Sequence, residues 1–284
     1  MQIIATPAEM QEASRGFHRE GKTVALVPTM GYLHEGHLSL VDRAKELGDV
    51  VVLSIFVNPT QFGAGEDLEK YPRNFERDCA MCEARGVDIV FAPTPEAMYP
   101  EGFSTWVEET SLSLPLCGKS RPGHFKGVTT VVAKLLNIVL ADAAVFGRKD
   151  AQQALVIRRM ARDLNMPVAI DIAPLIRDDD GVALSSRNRY LSADERERAR
   201  AISQALQQAE SELSVRGAGA AHELAANVSN VIAAAGGRID YVEALDGDTL
   251  TCVTSESKSV LIAVAAVFGS TRLIDNIFME FRPW

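Results

Sequence analysis

Residues Val50 to Val57 read VVVLSIFV, a strand-length run with no charge and only Ser54 to interrupt it. A strand with one face in water alternates apolar and polar residues, whereas one buried on both faces does not. This run therefore demands a sheet covered on both sides. Comparable apolar runs lie at Thr23–Val27, Asp88–Phe91, Ala143–Phe146 and Val168–Ile172. Between them fall helical patterns over Gly36–Leu47, Asn74–Arg85, Val128–Leu140 and Asp150–Leu164. Short strands joined by helical crossovers predict an α/β fold with a parallel sheet flanked by helices. Ligands of such sheets bind beyond the carboxyl ends of the strands.

The pattern changes after Pro174. Ser192-Ala193-Asp194-Glu195 is a capping box that opens a charged helix to about Val215. A second helix spans Ala220–Ala235, and strand-like runs follow at Arg238–Leu245, Ser259–Val267 and Thr271–Glu280. These predict a smaller C-terminal α+β domain, dividing the chain into residues 1–174 and 175–284. With 284 residues, 47% of them hydrophobic, the chain can bury a substantial core. A net charge of −9 without a basic run argues against nucleic acid as a partner. No apolar stretch approaches the ~18 residues of a membrane span. Met1–Met10 includes Pro7 and Glu9 and does not read as a signal peptide, so a cytoplasmic protein with reduced thiols is expected. Cys79-Ala80-Met81-Cys82 has no second pair to complete a metal site. Phe75, Cys79 and Cys82 share one helical face, which reads as core packing.

Five segments carry chemistry. Met30-Gly31-Tyr32-Leu33-His34-Glu35-Gly36-His37 joins a strand to a helix. Free N–H groups and the helix dipole favour an anion there, and the imidazoles can bind phosphate. A metal pair or two surface histidines fit the spacing as well. Asn58-Pro59-Thr60-Gln61-Phe62-Gly63 offers amides to a hydroxyl, amide or carboxylate, or is an ordinary loop. Lys119, Arg121, His124 and Lys126 form either an anion clamp or a solvated loop. In Gly147-Arg148-Lys149-Asp150, Asp150 and Gln153 make a passable capping box, while Lys149 is placed to meet phosphates. Leu184-Ser185-Ser186-Arg187-Asn188 can bind phosphate or can form a cap or turn.

Taken in order, the PTMGxLHxGH, FVNPxQF, RPxHFxGV, G-x-KD-xQQ and LSSRN blocks closely resemble the pantothenate synthetase (pantoate–β-alanine ligase) family. The resemblance runs from Thr23 to about Ile277 and is strongest between Val27 and Leu191. It implies a Rossmann-like fold of the HxGH nucleotidyltransferase superfamily, with the C-terminal domain as a lid. It also implies ATP-dependent condensation of pantoate with β-alanine through a pantoyl adenylate, releasing AMP and pyrophosphate. The serine–arginine block looks like the counterpart of a lysine-rich loop in class I aminoacyl-tRNA synthetases.

By the family pattern, Met30, Gly31, Tyr32, Leu33, His34, Glu35, Gly36 and His37 line the ATP site. Gly147, Arg148, Lys149, Asp150, Ile176, Leu184, Ser185, Ser186 and Arg187 match further nucleotide-binding positions. His34, His37, Lys149 and Arg187 carry the catalytic roles. The family assigns His37 as proton donor, although steadying the departing pyrophosphate suits it better. Gln61 resembles a residue shared by pantoate and β-alanine, and Gln153 a second pantoate ligand, with Asn58 and Arg121 beside them. Mg²⁺ is expected with ATP, with Asp78 as its protein partner, and a homodimer is expected by family analogy. Two departures stand out. Arg148 replaces the usual Glu or Gln, and Arg77-Asp78 stands where some relatives have paired aspartates. The rival readings are another HxGH adenylyltransferase and a nucleotide-binding module without catalysis.

Overall fold

The computed structural model describes residues 1–63, 65–66 and 68–281. In chain order the regular elements are β1 (Gln2–Ile4), α1 (Pro7–Arg19), β2 (Val24–Thr29), α2 (Glu35–Leu47), β3 (Val50–Ile55), α3 (Phe75–Ala84) and β4 (Ile89–Phe91). Then come α4 (Pro95–Met98), α5 (Cys117–Ser120), α6 (His124–Val139), β5 (Ala143–Gly147), α7 (Ala151–Asp163) and β6 (Ala169–Ala173). The last are α8 (Ala193–Arg216), α9 (Ala221–Ala234), β7 (Arg238–Asp246), β8 (Ser259–Phe268) and β9 (Thr271–Glu280). Short 3₁₀ turns occupy Pro59–Gln61, Arg148–Asp150, Ser186–Tyr190 and Ala218–Ala220.

The chain divides into two compact units. The first comprises Met1–Ser113, Arg121–Arg148 and Gln152–Pro174. The second takes Leu114–Ser120, Lys149–Ala151 and everything from Leu175 onward. A single cut after Pro174 therefore misses two short segments that pack with the second unit.

The first unit is a six-stranded sheet in the order β1-β4-β3-β2-β5-β6, with all of its pairings parallel. β3 is buried along its first five residues, as its unbroken apolar run requires. Leu40, Val41 and Ala44 of α2 pack with Val27, Val51, Leu53 and Val90 of the sheet. β1 and α1 are not among the expected elements. A usable signal was present: Thr6 caps α1 by accepting from the Glu9 N–H at 3.3 Å, and Pro7 takes the first helical position. The CxxC reading holds for Cys82, which is buried and whose thiol pKa burial pushes up to about 12. It fails for Phe75, which is 41% exposed at the start of α3 and lines a cavity.

Strand order reverses on either side of β2, so the crevice rule points to the carboxyl ends of β2 and β5. β2 pairs with β3 as far as Thr29↔Ile55 but with β5 only as far as Leu26↔Ala144. Pro28 follows that last pair, and proline has no N–H with which to extend a ladder. The two strands part there and open the crevice.

In the second unit, α8 and α9 cover one three-stranded antiparallel sheet, β7-β8-β9. The core joins Leu206, Leu213, Leu224 and Ile232 from the helices to Val260, Ile262, Val264 and Phe268 of β8. The capping box at Ser192 and Glu195 forms as expected. No helix among the described residues is long and apolar enough to cross a membrane.

Candidate active site

The turn after β2 adopts a backbone that L-residues resist. Gly31 and Tyr32 both have positive φ, 79° and 51°. Such a conformation costs of order 1–3 kcal/mol for a non-glycine residue and persists only where its surroundings impose it. Asp78, 1% exposed, does so. Its Oδ2 accepts from the Tyr32 N–H at 2.7 Å and its Oδ1 from the Leu33 N–H at 2.8 Å. Arg77 Nη1 donates to the Leu33 carbonyl at 3.0 Å, and its guanidinium lies 5.4 Å from the centre of the Tyr32 ring. Thr29 Oγ1 donates to the Ser54 carbonyl at 2.7 Å and accepts from the Gly31 N–H at 3.1 Å.

These bonds bear on three expectations. Asp78, the expected partner of Mg²⁺, uses both of its oxygens to hold the turn. Among the described residues no group of three His, Cys, Asp or Glu side chains forms a metal site. A divalent ion at this carboxylate would take most of its oxygens from a ligand's phosphates. Leu33 places its side chain in the core and engages both backbone polar groups within the protein. The N–H groups of Gly31, Tyr32, Leu33 and His34 all have partners on Thr29, Asp78 or His37. The remaining donors of that kind are the N–H groups of Glu35 and Gly36, which open α2 and have no carbonyl a turn earlier within the helix.

The two histidines are brought together, with ring centroids 4.0 Å apart. His37 Nδ1 accepts from the His34 N–H at 3.3 Å. That acceptor role assigns the proton of neutral His37 to Nε2, leaving a donor on the other edge of the ring. Glu35 is exposed at the first turn of α2, 3.7 Å from Arg85 Nη2.

The second cluster follows β3. Asn58 is 2% and Gln61 9% exposed. Asn58 Nδ2 donates to Gln61 Oε1 and to the Gly127 carbonyl, each at 3.1 Å. Its Oδ1 accepts from the Thr60 N–H at 3.3 Å, the Thr60 hydroxyl at 2.9 Å and the Tyr99 hydroxyl at 2.9 Å. Every amide hydrogen of Asn58 is thus committed inside the protein, so Asn58 orients Gln61 where direct substrate binding was expected. Gln61 Nε2 lies 3.2 Å from Met30 Sδ, which joins this loop to the turn after β2.

The basic stretch is also reassigned. Arg121 was expected to close over phosphate or bind the acid substrate. Instead it makes a bidentate pair with Glu66 at 2.7 and 2.5 Å and donates to the Gln61 carbonyl at 3.3 Å, with 17% of its side chain exposed. That hydrogen bond with Arg121 is the main cause holding the Glu66 carboxyl below the usual carboxylate range. His124 Nδ1 donates to the Gln61 carbonyl at 2.8 Å, while its Nε2 lies 3.1 Å from Arg121 Nη1. Gly127 packs directly on the loop: a Cβ there would lie 2.4 Å from the Thr60 carbonyl oxygen. The start of α6 is a mount for Gln61.

A cavity of about 240 Å³ adjoins the turn, with Met30, Tyr32, Phe56, Arg73, Phe75 and Asp78 in its walls. Gln153 is half-buried in the first turn of α7. Gly147 ends β5 and faces Leu40 of α2.

The remaining positions belong to the second unit, apart from the half-buried Arg148. Lys149 Nζ lies 3.1 Å from Asp150 Oδ2, and the Lys149 carbonyl accepts from Asn276 Nδ2 at 3.1 Å. Ile176 and Leu184 are backbone partners, with the Leu184 N–H donating to the Ile176 carbonyl at 3.0 Å. Ser185 caps the turn that holds Ser186 and Arg187 by accepting from the Arg187 N–H at 3.3 Å, so the capping alternative for this block is realised.

The family profile described as Pantoate-beta-alanine ligase matches residues 2–278. The chain belongs to this family. It is 54% identical to the pantothenate synthetase of Thermotoga neapolitana, over 98% of this chain and all of that one. The crystal structure of pantothenate synthetase from Thermus thermophilus superposes with a TM-score of 0.90 at 44% identity, covering 100% of both chains. The pantoate–β-alanine ligase of Francisella tularensis, solved with β,γ-ATP and β-alanine, matches with a TM-score of 0.80 at 32% identity, over 98% of this chain and 97% of that one.

Proposed function

We propose that this chain is an enzyme that condenses pantoate with β-alanine at the expense of ATP. In the first step a pantoate carboxylate oxygen bonds to the α-phosphorus of ATP as the bond from that phosphorus to the bridging oxygen of pyrophosphate breaks. In the second, the β-alanine amine attacks the acyl carbon of the pantoyl adenylate. AMP leaves with the electron pair of the carbon–oxygen bond, and the amine loses a proton to give the amide pantothenate.

The observation that carries this reading is the placement of His37. Its Nδ1 accepts from the His34 N–H at 3.3 Å, so Nε2 bears the hydrogen at the start of α2, beyond the carboxyl end of the central strand. Two anions must meet and a third must leave, so fixed donors serve better than a covalent nucleophile. His37 Nε2–H and the first N–H groups of α2 stabilise the departing pyrophosphate. Lys149 and Arg187 neutralise phosphate charge. Gln61 binds the acid substrate: thioether sulfur is a weak acceptor, so a substrate oxygen displaces Met30 Sδ from its N–H. Gln153 assists it. Mg²⁺ arrives on ATP as part of the substrate, held by phosphate oxygens. The same reading makes the protein a cytoplasmic homodimer.

The test is AMP formation from ATP with pantoate and β-alanine, set against other acid–amine pairs. Pantoate alone should support exchange of labelled pyrophosphate into ATP. ATP cleavage that neither substrate stimulates would rule the reading out, and folded protein that binds ATP without exchange would favour a non-catalytic module.

A further inference from the structure

Gln61 has a side-chain amide whose two ends differ chemically, and which end faces the substrate decides what it can recognise. Its orientation follows from a chain of groups that cannot reverse roles. The Thr60 N–H is a donor only, and it meets Asn58 Oδ1 at 3.3 Å. The Gly127 carbonyl is an acceptor only, and it meets Asn58 Nδ2 at 3.1 Å. A flipped Asn58 would set N–H against N–H and carbonyl against carbonyl, so its orientation is determined at both ends. Asn58 Nδ2 then presents its other hydrogen to Gln61, which must answer with Oε1 at 3.1 Å. Gln61 Nε2 is left on the side of Met30, which also lines the neighbouring cavity.

Tyr99 is the outermost member of this chain. It follows α4, and its hydroxyl donates to Asn58 Oδ1 at 2.9 Å. Its ring is held against Phe56 and Phe103, with centroids 6.3 and 5.1 Å away. Burial raises the phenol pKa, so the hydroxyl keeps its hydrogen throughout the working range. Nothing in the family blocks points to Tyr99, because it lies 41 residues from Asn58 in the chain.

We propose that Tyr99 and Asn58 are positioning residues that lock the Gln61 amide with its N–H pair toward the acid substrate. The lock makes Gln61 selective. A donor face accepts a carboxylate, hydroxyl or carbonyl oxygen and disfavours an ammonium group, which is itself a donor. Gln61 therefore reads oxygens of pantoate and not the amine of β-alanine. This rests on the reading of Gln61 as a substrate ligand.

The test is a double-mutant cycle on the full-length enzyme, with Tyr99→Phe and Gln61→Ala alone and combined, measuring KM separately for pantoate, β-alanine and ATP. Tyr99→Phe removes one hydroxyl and keeps the ring packing. It should raise the pantoate KM about 3- to 10-fold, the scale of one lost hydrogen bond, and leave the ATP KM unchanged. In the Gln61→Ala background the same substitution should be silent, since nothing remains to orient. Asn58→Asp, if it folds, replaces a donor by an acceptor and should raise the pantoate KM further by letting Gln61 turn its carbonyl outward. A pantoate KM within a factor of two of wild type in Tyr99→Phe overturns the proposal. So does an equal rise with and without Gln61, which would mark Tyr99 as a general structural residue. If Gln61→Ala itself leaves the pantoate KM unchanged, the placement of Gln61 falls, and the proposal with it.

Discussion

The turn after β2 and the loop after β3 lie side by side at the carboxyl ends of neighbouring strands, yet they are held by different means. The turn carries backbone strain at Gly31 and Tyr32 and is pinned by one buried carboxylate, Asp78. The loop has no such strain and is pinned by a neutral relay through Tyr99, Asn58 and Gln61, with His124 and Arg121 on its backbone. A charge gathers N–H groups strongly but does not sort a substrate's donors from its acceptors. A neutral amide chain is weaker bond by bond, yet it transmits an orientation. The difference suits the proposed roles, in which the turn sets a phosphate site and the loop reads an acid.

The sharpest way to break the comparison is at its chemical end. His37→Ala should slow adenylation about 10²–10³-fold, the usual scale for one lost electrostatic donor, with Lys149→Ala of similar size. Gln61→Ala should weaken pantoate use more than ATP binding. Single-turnover pyrophosphate release at varied ATP and pantoate separates the two, and equal effects of His37→Ala and Gln61→Ala on ATP would erase the division of labour.

The next largest effect belongs to the carboxylate. Asp78→Asn keeps the volume but turns one acceptor into a donor facing an N–H. It should cost about 2–3 kcal/mol, since hydrogen bonds to buried charges are the strong ones. Urea unfolding measures this loss. Because the turn carries the histidines, the variant should also raise the ATP KM more than the pantoate KM. A stability change below about 0.5 kcal/mol, the range of ordinary surface substitutions, would show that the turn does not need its anchor.

The loop should be more sensitive to shape. Gly127→Ala pushes a methyl group against the Thr60 carbonyl and should cost about 1–3 kcal/mol by overpacking, while raising the pantoate KM. A variant with wild-type melting and kinetics would show that α6 does not seat the loop.

The smallest effect expected is with pH. The Glu66 pKa is depressed in the folded state, chiefly by its hydrogen bond with Arg121. Its stabilising contribution is therefore fully present above the unfolded glutamate value, about 4.3, and is lost as pH falls through the lower folded value. Glu66→Gln should flatten that acid limb in a plot of melting temperature against pH. An unchanged limb would free Arg121 for the anion-binding role the sequence suggested.

Much of this architecture is legible along the chain. The apolar run of β3 and the helices between strands follow from local periodicity, and so does the capping box of α8. β1 and α1 are harder to read, because a three-residue strand carries no period and its helix is announced only by a cap. At the site, ordered motifs named His34, His37 and Gln61. They did not reveal the protein partners of Asn58, Arg121 and Asp78, because residue type does not show which partner a polar group meets. An arginine beside a glycine-rich loop looks like an anion clamp until Glu66, 55 positions away, is found to hold it.

The sequence alone therefore determined the layers of the fold, the order of its chemical blocks and the family to which the chain belongs, because those depend on periodicity and on residue identity at short range. Tertiary structure decided which way each polar group points. It made Asp78 an anchor, Asn58 and Tyr99 an orienting pair, and Gln61 a donor. Those roles arise from hydrogen bonds between segments distant in the chain, and a buried amide or carboxylate has its chemistry set by the partners that desolvation obliges it to find.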